Sequence, residues 1–94
     1  MIRETAMTIH TDQGDKYKSF MDDVNDLVSE KLLTQAYPTA SDEKLGAQVY
    51  TGRNCLLQIT DKEDKNGVYY DIKILTNGKA KDARGLGALV KKHR

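Results

Sequence analysis

The chain has 94 residues, 38% hydrophobic and 31% charged, with one Pro and one Cys. That length suits a single domain, residues 1–94, whose modest core buries roughly two-thirds of the surface of the unfolded chain and leaves little room for a deep substrate cavity. The composition excludes a disordered chain, and a lone thiol excludes an internal disulfide and points to a reducing compartment. No apolar run approaches the roughly 18 residues that cross a bilayer. Residues 1–14 lack the apolar stretch of a signal peptide. A cytoplasmic protein is expected, and because small polar domains gain stability by dimerising, a homo-oligomer stays open.

The net charge is +1, but its distribution is uneven. Residues 1–45 hold nine Asp/Glu against five Lys/Arg, and residues 46–94 hold ten Lys/Arg against five Asp/Glu. Such asymmetry bears on partners rather than on fold.

In chain order, residues 1–13 are the weakest segment. Met7 and Ile9 alternate with Thr8 and His10, which reads equally as a short edge strand or a frayed arm. A long helix is expected from Asp15 to Ala36, where Tyr17, Phe20, Met21, Val24, Leu27, Val28 and Leu32 recur at three- and four-residue spacing. Pro38 helps to end it. Its opposite face, with Asp22, Asp23, Asp26 and Glu30 among others, is acidic. Residues 42–50 read either as a short helix capped by Ser41 or as a strand, and Gly46 tips the balance towards a strand.

The clearest β signal is an antiparallel hairpin, 54–60 paired with 68–75. Cys55, Leu57 and Ile59 share one side of the first strand, and Val68, Tyr70, Ile72 and Ile74 one side of the second, with Tyr69, Asp71 and Lys73 opposite. Asn66-Gly67 supplies positive φ for the turn. The tail from Lys79 to Arg94 reads as a short helix with Ala80, Ala83, Leu86 and Val90 on one stripe. Gly85 and Gly87 either delay its start or permit close packing. The fold class is therefore α+β: a small antiparallel sheet, the hairpin plus one or two short strands, packed by a long N-terminal and a short C-terminal helix in a two-layer sandwich. The core should contain Phe20, Val24, Leu27, Val28, Leu57, Ile59, Tyr70, Ile72, Ile74, Leu86 and Val90. An order α-β-β-β-α with a lysine-rich start to the last helix, Lys79-Ala80-Lys81-Asp82-Ala83, resembles that of double-stranded-RNA-binding domains. The resemblance is one of element order, Gly85 and Gly87 depart from it, and a shared fold does not carry a function.

The basic tail is the most suggestive feature. Lys79, Lys81, Arg84, Lys91, Lys92 and Arg94, opposed only by Asp82, can displace counterions from a phosphate backbone. Arg53 and an exposed Tyr69 beside Lys73 add a further cation and a surface for base stacking. The plainer reading is a solvated helix end, where cations suit the dipole. The acids Asp22, Asp26 and Glu30, four apart on one helix face, form a solvated surface or a docking surface for a basic partner. They make a poor metal site, because hard cations need oxygens converging from several elements. Asn77-Gly78-Lys79-Ala80 lacks the Ser/Thr of a phosphate-binding loop, Gly85-Leu86-Gly87 lacks the third glycine of a dinucleotide fingerprint, and residues 61–67 fail as a calcium loop. Cys55 reads as a buried structural thiol, since His10 and His93 lie near opposite, loosely held termini. No catalytic, metal or cofactor set stands out. The expected function is that of a small regulatory binding protein that contacts nucleic acid, or a nucleic-acid-handling complex, through its basic tail. The alternative is an inhibitor or adaptor docking through Asp22, Asp26 and Glu30.

Overall fold

A computed structural model describes residues 2–36 and 48–94. Within these described residues five strands and two helices follow in the order β1 (Ile2–His10), α1 (Gly14–Ser29), β2 (Thr34–Ala36), β3 (Gln48–Thr51), β4 (Cys55–Asp64), β5 (Gly67–Asn77) and α2 (Lys81–His93). All neighbouring strands are antiparallel, in the spatial order β1-β5-β4-β3-β2. The chain is α+β, as expected, but the first element is a strand and not a helix. The element order of double-stranded-RNA-binding domains is thereby lost.

Side-chain alternation divides the sheet into two faces. Pairing aligns Met7, Ile72 and Ile59 in one row and Ile74, Leu57 and Tyr50 in the next. These residues and Ile9 are buried. Phe20, Val24 and Leu27 of α1 and Leu86, Leu89 and Val90 of α2 join them in one cluster, so both helices cover the same face. Burying such side chains contributes about 1.5–3 kcal/mol each. Val28 and Tyr70, expected in the core, are only partly buried at its margin. The other sheet face carries ion pairs, Lys62–Asp71 at 2.8 Å and Lys73–Glu4 at 3.6 Å. Among the described residues nothing lies over it.

Helix α1 carries the chain from one sheet edge to the other. Its 16 residues span about 24 Å, enough to cross four strand spacings of about 4.8 Å. The expected long helix to Ala36 is therefore corrected: α1 stops at Ser29. The stop is made by Lys31, at φ 64°. The Leu32 N–H donates to the Leu27 carbonyl and the Lys31 N–H to the Val28 carbonyl, the six-to-one and five-to-two bonds of a Schellman cap. Leu32 continues the apolar stripe because it folds back onto the core after the helix has ended. Lysine rather than glycine in this left-handed position concealed the stop.

The hairpin is longer than 54–60/68–75. Its pairing runs unbroken from Cys55–Thr76 to Asp64–Gly67. The charged stretch Asp61–Asp64 extends β4 because the opposite strand continues to pair with it. Lys65 and Asn66 form the turn, the Asn66 N–H donates to Asp64 Oδ1 at 2.7 Å, and the positive φ of 116° falls on Gly67 alone. Of the reading for the first residues, the edge strand holds: β1 spans Ile2–His10. Gln48–Thr51 is the strand preferred for that region, and the remainder of 42–50, with Ser41 and Pro38, lies outside the described residues.

Candidate functional site

The basic tail is a continuous helix fixed at both ends. Gly85 and Gly87 do not delay it: α2 starts at Lys81, with the Arg84 N–H donating to the Ala80 carbonyl at 2.9 Å. Gly85 marks the close approach to α1, since a Cβ there would lie 3.1 Å from Leu27 Cδ2, whereas a Cβ on Gly87 would meet nothing within 4 Å.

At its start, the carboxylate of Asp82 is buried at 5% exposure. Asp82 Oδ2 accepts from the Asn54 N–H at 2.7 Å, Oδ1 from Asn54 Nδ2 at 3.2 Å, and the Cys55 thiol lies 3.6 Å from Oδ2. Burial alone would raise the Asp82 carboxyl, but these donors and the Ala83 N–H outweigh it and hold the group below its ordinary value. The Cys55 thiol is pushed up to about 11 by burial, by the charge of Asp82 and by its bond to that carboxylate. The thiolate a nucleophile needs is therefore suppressed, in keeping with a structural role for Cys55.

At its end, His93 is not loosely held. It is 7% exposed, its ring stands edge-on to Phe20 at 5.6 Å, and its Nε2 lies 2.6 Å from Asp23 Oδ2. Lys92 Nζ reaches the same oxygen at 3.0 Å. The bonds from His93 and Lys92 hold the Asp23 carboxyl below its ordinary value.

Between these anchors the burial of Ala83, Leu86, Leu89 and Val90 turns Lys81, Arg84 and Lys91 outward. Their spacing of three and seven residues places them on one stripe. Lys79 precedes the stripe and Arg94 follows it, both exposed. Arg53 is exposed on the loop between β3 and β4, which the Asn54–Asp82 bonds hold against the start of α2. Among the described residues none of these six cations has an ion-pair partner. Lys92 differs, being turned towards Asp23. Tyr69 is not part of the group. It lies on the sheet face away from both helices, 5.7 Å from the His10 ring. Alternation sets it opposite Tyr70, which stacks on Tyr17 of α1, so the sheet separates it from the tail.

Asp22 and Asp26 are exposed on α1 and Glu30 is exposed at its C-cap. Asp26 borders a shallow groove of about 220 Å³ between the helices, with Gly85, Ala88 and Lys92 on its other wall. The acidic and basic faces thus lie side by side on the helical layer. Near the opposite end of the sheet, an open polar cleft of about 410 Å³ is lined by His10, Thr11, Asp12, Gln13, Asn66 and Val68. Tyr17 stacks on Tyr70 at 3.8 Å, and its hydroxyl is pushed up by burial, with Tyr70, Asp61 and Tyr50 adding to the effect.

Among the described residues no three His, Cys, Asp or Glu side chains gather as metal ligands, no helix is long and apolar enough to cross a membrane, and every buried side-chain polar atom is hydrogen-bonded. Asp82, Asn54, Asp23 and His93, which position the site, were not foreseen as a set. The one signal was Asp82, the single acid in a basic tail. No protein family, curated protein or solved structure matches this chain.

Proposed function

We propose that the protein is a non-enzymatic binding module that grips the phosphate backbone of nucleic acid through the outward face of α2. The observation that carries this reading is the stripe of Lys81, Arg84 and Lys91, extended by Arg53, Lys79 and Arg94, with no acid paired to any of them among the described residues. Unpaired cations on a rigid helix release phosphate counterions on contact without first breaking an internal salt bridge. The fixed ends of α2 hold the spacing, so little ordering accompanies binding. Tyr69 lies on the wrong side of the sheet to stack on a nucleic acid held there.

The test is fluorescence anisotropy with labelled single- and double-stranded DNA and RNA at two salt concentrations. Wild type binds in a salt-sensitive way. The triple variant Lys81→Ala, Arg84→Ala, Lys91→Ala keeps its circular dichroism, since all three side chains are exposed, and its slope of log affinity against log salt falls by about 2–3. Unchanged binding by the triple variant rejects the proposal.

A second reading rests on the exposed Asp22, Asp26 and Glu30, of which Asp26 borders the groove: an inhibitor or adaptor docking on a basic protein. Reversing Asp22 and Asp26 to lysine then abolishes capture of that partner, while nucleic-acid affinity rises or holds.

A further inference from the structure

The two edges of the sheet are built differently. Among the described residues β2 is three residues long, a length that offers little to an incoming strand. β1 is nine residues long and pairs with β5 without a break in register. It contains no proline and no bulge, two devices that commonly blunt an edge.

Hydrogen bonds fix which of its peptide groups face outward. The Thr11 N–H donates to the Val68 carbonyl at 3.2 Å, in the same register as the rest of the β1–β5 ladder. In an antiparallel ladder bonded pairs alternate with non-bonded ones. Ile9, Met7, Thr5 and Arg3 therefore face β5, and the peptide groups of His10, Thr8, Ala6, Glu4 and Ile2 face the free edge. His10 agrees with this assignment. Its N–H donates to Gln13 Oε1 at 3.3 Å and its carbonyl accepts from the Gln13 N–H at 2.9 Å, so its outward groups are satisfied locally. Among the described residues nothing pairs with the peptide groups of Ile2, Glu4, Ala6 and Thr8.

From this set we infer that β1 is a dimerisation edge whose occupant is the β1 of a second copy of this chain. The four free residues are symmetric about Thr5. An antiparallel pairing with its twofold axis at Thr5 uses all of them, setting Ile2 against Thr8 and Glu4 against Ala6, twice each. Thr5 meets Thr5 of the partner, a favourable cross-strand pair. No like charges stand directly opposite. The two Glu4 side chains are diagonal neighbours, and each already carries its own Lys73 at 3.6 Å. Ile2, 70% exposed, gains a covering strand. The product is a ten-stranded sheet with two unblocked edges fewer, and α2 of each copy stays free on the helical layer.

Sedimentation velocity over a range of concentrations tests the inference. Wild type should approach twice the mass of the chain. Thr8→Pro removes one outward N–H without touching the β5 ladder and should sediment as a monomer. Ala6→Glu, which faces Glu4 of the partner, should also be monomeric, whereas Ala6→Lys at the same exposed position should dimerise at least as well as wild type. Circular dichroism confirms that each variant is folded. A wild type that stays monomeric at its highest soluble concentration overturns the inference, as does a folded Ala6→Glu or Thr8→Pro variant that dimerises like wild type. Neither result touches the α2 proposal, whose readout is anisotropy.

Discussion

The two ends of α2 are fastened by aspartates with opposite strategies. Asp82 is buried and bound only by neutral donors, the amide groups of Asn54, the Ala83 N–H and the thiol of Cys55. Asp23 is partly exposed and bound by His93 and the cationic Lys92. The first fastening excludes water and is sensitive to shape. The second is in contact with solvent and is sensitive to ions. One helix is thereby held by two restraints that respond to different perturbations, the first to added bulk and to acid, the second to salt.

The largest effect is expected at Gly52, beside the Asp82 lock. A Cβ there would stand 2.7 Å from Cys55 Sγ, 2.7 Å from the Leu32 carbonyl oxygen and 2.8 Å from Asp82 Oδ2. Backbone and carboxylate cannot both yield, so Gly52→Ala should destabilise by about 3 kcal/mol in denaturant unfolding. Asp82→Ala, which leaves the Asn54 amide without its acceptor, should cost about 2 kcal/mol.

Acid sharpens the contrast. A carboxyl held below its ordinary value stabilises the fold fully above that ordinary value and loses the contribution as pH falls from there through the lowered value of the folded state. Asp82 is such a group, with an ordinary value of 3.8. The stability gap between wild type and Asp82→Asn should therefore be full at neutral pH and close below pH 3.8. Adding salt at neutral pH should leave that gap unchanged, because the donors are uncharged. At the other end salt should matter. Lys92, 64% exposed in its pair with Asp23, should cost less than about 1 kcal/mol when changed to Ala, and the difference should shrink as salt is added.

The smallest effect has the opposite sign. Gly87 meets nothing within 4 Å and lies inside α2, so Gly87→Ala should stabilise by about 1 kcal/mol. Gly85→Ala should gain less, because its Cβ would press on Leu27. Equal gains at both positions would show that Leu27 does not press on position 85.

Much of this architecture was legible in the sequence where the pattern is local. Alternation gave β4 and β5 their faces, and three- and four-residue spacing identified Phe20, Val24 and Leu27. The strand β1 was ambiguous because Arg3 and Thr5 break its inward alternation. The end of α1 was hidden because Lys31 adopts a conformation that usually announces itself as glycine. The Asp82–Asn54 and Asp23–His93 contacts join residues 28 and 70 positions apart, and no local rule reads such pairs. The cations of α2 were found by charge alone. Their common outward face, and the exclusion of Tyr69 from it, follow only from knowing which sheet face the helix covers.

The acidic outer side of α1 and the basic outer side of α2 lie next to each other across one narrow groove. A layer arranged in this way has an electric moment lying across the helix axes, roughly in the plane of the sheet. An external field from a charged surface therefore exerts a torque on the molecule before any atom touches. Within a screening length of about 8 Å at physiological ionic strength, a polyanion turns α2 towards itself and a polycation turns α1. Orientation, and with it the fraction of encounters that are productive, is thus set by the order of two helices rather than by the net charge of +1.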